Sequence, residues 1–359
     1  MLAKSCGQLK GTLTAPADRI RAFDWLRGLA VLFMIQCHAL SLLRPPLRDS
    51  ALGQQLVWLD GLVAPSFIFS AGFFLALVQV RGASSGSRGR RVVKTLRRLA
   101  EVLFVATLVN WMWFPIFREP KWILRVDILQ CIGLALVIAL PLMALLAPRP
   151  LVLRAVALVL GVATFVLSPY GENVHGAWAA LANQSTGAVF PLLPWAGYVY
   201  LGASAGATAG LGELGRLVRW TAGLAFLGLV LWKGPSLPGY PAASAWLPGN
   251  HGNRIVILCG LVLVLLALEY RVRGGWKGSA PVRFVEFFGA SSMAGYFFHE
   301  MFLYYEWFGF SFHRYWGDRC GWSNYWVLTG ALIACTYLMV MVTDRLYRIY
   351  GGVMRARSL

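Results

Sequence analysis

Long apolar stretches recur along the chain from residue 26 almost to its end, separated by short polar connectors. A transmembrane α-helix needs about 20 consecutive, mainly apolar residues, and most of these stretches approach or exceed that length. We predict ten spans, which cover residues 26–43, 61–80, 99–117, 124–147, 151–168, 188–210, 217–232, 254–270, 284–305 and 322–343. The pattern therefore predicts an all-α integral membrane protein of about ten transmembrane helices.

The composition agrees with this pattern and excludes a water-soluble protein. Of the 359 residues, 58% are hydrophobic and 13% are charged, and the mean hydropathy is +0.61. We expect one polytopic membrane domain over residues 21–350, between short cytoplasmic tails at 1–20 and 351–359. The six cysteines show no C-x-x-C spacing and mostly lie in predicted spans, so neither a disulfide framework nor a zinc site is indicated.

The net charge of +18 comes from basic residues whose placement follows a membrane topology. With the N-terminus in the cytoplasm, 24 of the 33 lysines and arginines lie on the cytoplasmic side and 9 on the other. This asymmetry fits the positive-inside rule and predicts that both termini are cytoplasmic. A nucleic-acid-binding protein would concentrate such charge on one element, so we expect the lipid bilayer as a partner and no nucleic acid.

The densest group of basic residues lies in the segment from Arg81 to Arg98. A loop rich in glycine and serine leads into six cations, which are Arg88, Arg90, Arg91, Lys94, Arg97 and Arg98. They could contact anionic lipid and set the topology, or they could form a cytoplasmic cradle for a phosphorylated substrate. The sequence leaves both interpretations open.

Polar side chains inside membrane spans are costly, so they mark candidate functional sites. The first helix carries Asp24, Arg27 and His38. Arg27 and His38 are eleven residues apart, which places them on one helix face with about 16 Å of rise between them. Asp24 lies one turn before Arg27 and can pair with it. The helix thus presents a cation near the cytoplasm and an imidazole in its outer half, although a lone histidine could equally serve packing.

The ninth predicted span carries a second polar stripe. Ser292, Tyr296 and His299 recur at helical spacing, with Glu300 beside them. Counted from the charged outer flanks, His299 and His38 lie at similar depth, which suggests that they line one cavity. An imidazole with a carboxylate at hand can act as a general base towards a hydroxyl or an amine. The two histidines and Glu300 are therefore candidate catalytic residues.

Two aspartates near the outer ends of spans, Asp60 and Asp127, could join this layer or could cap helices. We include Asp60 among the candidate catalytic residues. The chain has no G-x-S-x-G, H-E-x-x-H or phosphate-loop motif, so serine hydrolase, zinc protease and P-loop mechanisms have no support. No metal is expected.

Several motifs resemble those of known membrane enzymes. Residues 21–38, RAFDWLRGLAVLFMIQCH, look like the first helix of the transmembrane acyltransferase superfamily. Within it, four segments resemble the heparan-alpha-glucosaminide N-acetyltransferase catalytic-domain family: 60–72 DGLVAPSFIFSAG, 128–133 ILQCIG, 190–198 FPLLPWAGY and 296–300 YFFHE. The resemblance covers nearly the whole membrane portion.

Membership would imply an acyltransferase that moves an acyl group, expected to be acetyl, from cytoplasmic acyl-CoA to a sugar amine or hydroxyl across the membrane. Acetyl-CoA or another acyl-CoA would be the donor, a glycan or glycolipid the acceptor, and His38 the catalytic histidine. By the resemblance, Arg27 would bind a phosphate of coenzyme A or brace the site. We also expect its neighbour Asp24 and the cations of the basic segment, Arg90, Arg91, Arg97 and Arg98, among the groups that bind coenzyme A. The expected location is a bacterial inner (plasma) membrane, and a homodimer is one oligomeric state that stays open.

The chain also departs from the family pattern. The lysosomal branch places its proposed catalytic histidine after the first helix, whereas residues 44–59 contain no histidine here, which leaves the acceptor open. A different class of function is a transporter or flippase in which buried Asp, Arg and His residues relay protons. A third is a scaffold that binds a glycolipid without catalysis. Stabilisation by coenzyme A would favour the enzyme.

Overall fold

The computed structural model describes residues 20–85, 87–113, 125–233, 248–272, 279–306 and 309–356. These residues form α-helices and short 3₁₀ turns without a β-strand, which confirms the all-α class. The helices are α1 Arg21–Ala39, α2 Pro45–Arg48, α3 Ala51–Asp60, α4 Val63–Arg81, α5 Arg88–Trp113, α6 Ile128–Leu146, α7 Pro150–Gly171, α8 Ala179–Ala182, α9 Leu192–Gly210, α10 Leu214–Lys233, α11 Pro248–Val272, α12 Ala280–Ala290, α13 Ser292–Tyr304, α14 Phe312–Trp316 and α15 Trp322–Ala356. Helices satisfy their own backbone polar groups, which an apolar chain in a bilayer requires.

Among the described residues, seven helical segments are long and apolar enough to cross a membrane. They are Arg21–Leu42, Ala51–Arg81, Ile128–Leu146, Pro150–Gly171, Leu214–Trp232, Asn250–Arg271 and Trp322–Leu346. The predicted spans 99–117 and 188–210 fall on α5 and α9, which are helical but do not belong to this set, and residues 114–117 lie outside the described ranges. The integral membrane class is thus supported, while the number ten and the orientation of the termini stay predictions.

The predicted ninth span, 284–305, is not one helix. It is divided into α12 and α13 at Ser291, whose backbone leaves the helical region with φ −113° and ψ 29°. The two helices have 11 and 13 residues, fewer than a straight crossing needs. The break places the histidine of this segment on a short helix of its own.

One compact unit of the chain comprises residues 1–22 and 64–274. Within its described part, α7 packs along α9, α10 along α11, and α5 along α6. Asp127 begins α6 with a capping box, in which its carboxylate accepts from the Ile128 amide at 2.7 Å and Gln130 accepts from the Asp127 amide at 3.2 Å. The capping interpretation of Asp127 is therefore confirmed.

The second compact unit comprises residues 23–63 and 275–359. In it, α1 crosses α12 so closely that a Cβ atom on Gly28 would overlap the Val285 carbonyl oxygen, and one on Gly289 would overlap the Asp24 carbonyl oxygen. Helix α13 packs along α15. These contacts hold α1 beside the α12–α13 pair, which positions the site described next.

Candidate active site

The two histidines that the sequence places at similar depth lie against each other in the second unit. His38, near the end of α1, has its Nδ1 atom 2.7 Å from Nε2 of His299 on α13. The rings are stacked, with centroids 5.0 Å apart and an angle of 18° between their planes. His299 is fully buried, whereas the side chain of His38 is 34% exposed. Of the pair, His38 is therefore the one that a substrate can reach.

Glu300 supplies the carboxylate of this cluster. Its Oε1 atom lies 2.8 Å from His38 Nδ1 and 3.4 Å from His299 Nε2, and its side chain is buried. Because Glu300 follows His299 directly in α13, one short helix presents both groups to α1. We refer to His38, His299 and Glu300 as the histidine–glutamate cluster.

Hydrogen-bond partners assign the protons of the two neutral imidazoles. Nδ1 of His299 lies 3.0 Å from the Gly295 carbonyl oxygen, which can only accept, so this nitrogen carries a proton and Nε2 holds a lone pair. Nδ1 of His38 then donates towards Glu300 and His299. This tautomer leaves Nε2 of His38 as the nitrogen that takes up a proton, which is the arrangement of a general base.

Two hydroxyl groups that our sequence interpretation did not single out fix the end of α1. Ser41 Oγ donates to the His38 carbonyl oxygen at 2.8 Å, and the Tyr304 hydroxyl donates to the same oxygen at 3.3 Å. Tyr304 lies one helical turn after Glu300, so the spacing in α13 could have identified it. Both bonds hold the His38 backbone in place.

Asp60 does not cap a helix start, because it is the last residue of α3 and α4 begins at Val63. The carboxylate is buried, and the Cys37 thiol, a weak donor, is the one hydrogen-bond partner within its reach among the described residues. The Cys37 side chain lies beside it, and His38 is close enough for an electrostatic interaction. The structure thus brings Asp60 to the neighbourhood of the histidine–glutamate cluster.

The candidate coenzyme A ligands fall into two groups. Arg27 pairs with Asp24 at 2.7 Å in the second unit, as their spacing predicts. The other four candidates lie in the first three turns of α5 in the first unit, and these are Arg90, Arg91, Arg97 and Arg98. Three of them are exposed, while Arg91 is partly buried and donates to Ser87 Oγ at 3.3 Å. Their role in binding coenzyme A stays a prediction.

The donor atoms of the histidine–glutamate cluster lie within 4.8 Å of one another, so they could also hold a metal ion. Two histidines and one glutamate form the ligand set of several catalytic zinc sites. Shared protons account for the same short distances, and the expectation of a metal-free site stays a prediction.

A second buried histidine lies in the first unit. His251, in α11, has Nδ1 2.9 Å from the Tyr198 hydroxyl, and the rings of Phe165 and Trp195 lie 5.6 and 5.2 Å from its own. Our sequence interpretation did not single out His251. Trp195 and Tyr198 belong to the segment 190–198, one of the four motifs compared above, so that motif builds an aromatic enclosure around an imidazole.

Comparison with known proteins identifies the family. The family model for heparan-alpha-glucosaminide N-acetyltransferase, catalytic, matches residues 19–240. The match contains Arg27, His38 and Asp60 and ends before His299 and Glu300. No individual curated protein matches the chain. Because the family model matches well over half of the sequence, the chain belongs to the heparan-alpha-glucosaminide N-acetyltransferase catalytic-domain family.

Proposed function

We propose that this transmembrane acetyltransferase takes an acyl group, expected to be acetyl, from acyl-CoA on the cytoplasmic side and transfers it to a sugar amine or hydroxyl on the other side. The family supports the general activity. The observation that carries the catalytic assignment is the 2.8 Å contact between Glu300 Oε1 and His38 Nδ1.

In this mechanism, His38 Nε2 removes the proton from the acceptor amine or hydroxyl as that group attacks the thioester carbonyl carbon. The carbon–sulfur bond then breaks, and the departing thiolate takes the proton back from His38 to give coenzyme A. Glu300 holds the Nδ1 proton of His38, which keeps the required tautomer and stabilises the imidazolium that forms. His299 supports the cluster through its bond to the Gly295 carbonyl.

The donor would be held by cations on the cytoplasmic side. Arg27 offers a planar fork suited to a phosphate, and Asp24 orients it. Arg90, Arg91, Arg97 and Arg98 belong to α5 in the first unit, and their role in binding the donor is a separate prediction. The 24-to-9 distribution of basic residues supports the transfer direction.

The activity is tested by incubating purified protein with radiolabelled acetyl-CoA and a panel of amino sugars and envelope glycans. We expect labelled acetyl on at least one acceptor and an increase in melting temperature with coenzyme A. A protein that transfers no acetyl group, is not stabilised by coenzyme A and moves solute in a proton-dependent manner would be a transporter. A protein that only binds glycolipid would be a scaffold.

The trans-bilayer direction has its own test. Single cysteines at Ser85 and Ser185, in a background without native cysteines, should react with membrane-impermeant reagents from opposite sides. Labelling of both from outside in intact cells would contradict the topology and the transfer direction.

A further inference from the structure

Three buried oxygen atoms near the end of α1 have at most one weak hydrogen-bond donor, the Cys37 thiol, among the residues in the described ranges. They are Oδ1 and Oδ2 of Asp60 and Oε1 of Gln36. The two residues are only 9% and 7% exposed. Buried polar atoms in native proteins almost always have partners, so a carboxylate with only a thiol donor and an amide oxygen without one indicate a ligand that supplies donors.

These atoms are grouped around the reactive end of α1. Gln36 and Cys37 directly precede His38, and the Cys37 side chain lies beside Asp60. Asp60 is also within electrostatic reach of His38 and of Tyr325 in α15. All five residues belong to the second unit.

The donors of this group are already used within the protein. Gln36 Nε2 donates to the Tyr325 hydroxyl at 2.8 Å, and that hydroxyl donates to the main-chain carbonyl oxygen of Gln36 at 3.2 Å. Gln36 Oε1 and the lone pairs of the Asp60 carboxylate that the Cys37 thiol does not use are left to a ligand. Such a surface does not suit the phosphates or the thioester of an acyl-CoA, which are themselves acceptors. It suits a group rich in hydroxyl or N–H donors.

We propose that Asp60 and Gln36 form the binding subsite for the acceptor and hold the sugar hydroxyls that flank the group receiving the acetyl. The two oxygens of a carboxylate can accept from two neighbouring hydroxyls, and Gln36 Oε1 takes a third donor. The contacts turn the reacting amine or hydroxyl towards Nε2 of His38. This inference rests on the proposed function, and it makes Asp60 a specificity-determining residue.

The test measures kcat and KM for acetyl transfer to glucosamine, to glucose and to analogues of each that lack one hydroxyl. Asp60→Asn and Gln36→Met remove acceptor atoms from the subsite. Tyr325→Phe removes a partner of Gln36 but leaves its Oε1 atom, and Asp49→Asn removes an exposed carboxylate elsewhere in the unit. Monodispersity and coenzyme A binding confirm that each variant is folded.

We expect Asp60→Asn to raise KM for the accepted sugar by about tenfold to a hundredfold, with a much smaller change in kcat. In wild type, at least one deoxy analogue should bind about tenfold more weakly than its parent sugar. In Asp60→Asn, this analogue and its parent should bind equally weakly, because the lost hydroxyl and the lost carboxylate belong to one contact. Gln36→Met should raise KM more than Tyr325→Phe, and Asp49→Asn should behave as wild type. Transfer to glucosamine but not to glucose would identify an amine as the acceptor group.

The subsite is overturned if the deoxy analogues lose the same affinity in wild type and Asp60→Asn, or if Asp60→Asn lowers kcat alone; the acetyltransferase assignment would then stand. If wild type transfers acetyl to no sugar, the proposed function fails, and thermal stability decides the subsite. In that case millimolar glucosamine or glucose must raise the melting temperature of wild type and not of Asp60→Asn. Absence of stabilisation by either sugar overturns the subsite as well.

Discussion

Two histidines are buried in the part of the chain that the structure describes, and their neighbours differ in charge. His251 in the first unit is surrounded by aromatic rings, bonds to the Tyr198 phenol and has the guanidinium of Arg254 close enough to interact. His299 in the second unit is equally buried but adjoins another imidazole and the carboxylate of Glu300. A carboxylate stabilises the imidazolium that forms when a base takes a proton, whereas a guanidinium opposes it. Burial alone therefore does not identify a catalytic histidine; its charged partners do.

The largest expected effect is a difference in turnover between matched substitutions in the two environments, His38→Gln and His251→Gln. His38→Gln keeps a hydrogen bond but cannot titrate, so turnover should fall by about 10²–10⁴ while coenzyme A binding persists. His251→Gln, the same change in the aromatic enclosure, should lower the melting temperature and leave kcat close to wild type. If His38→Gln keeps most of its activity, the imidazole is a packing element and the base has to be sought at His299 or Asp60.

A smaller loss is expected from changing the carboxylate partner of His38. The amide of Glu300→Gln can donate to His38 Nδ1 and so favour the tautomer with its proton on Nε2, which cannot accept a proton from the acceptor. We expect kcat to fall on the order of 10² with unchanged coenzyme A affinity, because the base itself remains. Unchanged kcat would show that Glu300 does not set the tautomer.

In the aromatic enclosure, the expected effect is on stability. Tyr198→Phe removes the hydroxyl that bonds His251 and leaves a buried ring nitrogen without that partner. The free energy of unfolding should fall by about 1–3 kcal/mol, measured by denaturation in detergent, with little change in kcat. A fall in kcat comparable to that of Glu300→Gln would mean that the two environments share a catalytic role.

The smallest expected effect concerns metal. Because shared protons account for the geometry of the histidine–glutamate cluster, treatment with a strong chelator should leave the transfer rate unchanged. Loss of activity that Zn²⁺ restores would instead make the cluster a metal site.

The sequence predicts those parts of the site that depend on spacing along one helix. The Asp24–Arg27 pair and the shared face of Arg27 and His38 follow from helical periodicity, and the similar depth of His38 and His299 follows from counting inward from charged flanks. The helix cap at Asp127 is also readable from the sequence, because a cap depends only on the first turn of the helix that it begins, here α6.

The rest depends on packing between distant segments, which periodicity does not contain. Gln36 and Tyr325 are 289 residues apart, and nothing local indicates that they bond. The break at Ser291 lies in a run apolar enough to read as one span, and the location of Asp60 at a helix end depends on the turn that follows it. The aromatic enclosure of His251 joins α7, α9 and α11, so only the folded chain defines it.

The reciprocal glycine contact between α1 and α12 makes activity sensitive to positions that carry no chemistry. At Gly28 and Gly289 a single added methyl group would meet a backbone oxygen of the opposite helix, and backbone cannot rotate aside as a side chain can. The helices would have to separate, and α1 carries His38 while α12 leads into the helix that carries Glu300. A random mutagenesis screen for lost transferase activity should therefore recover alanine at these two glycines in protein that is still inserted in the membrane, beside the expected changes at the histidines.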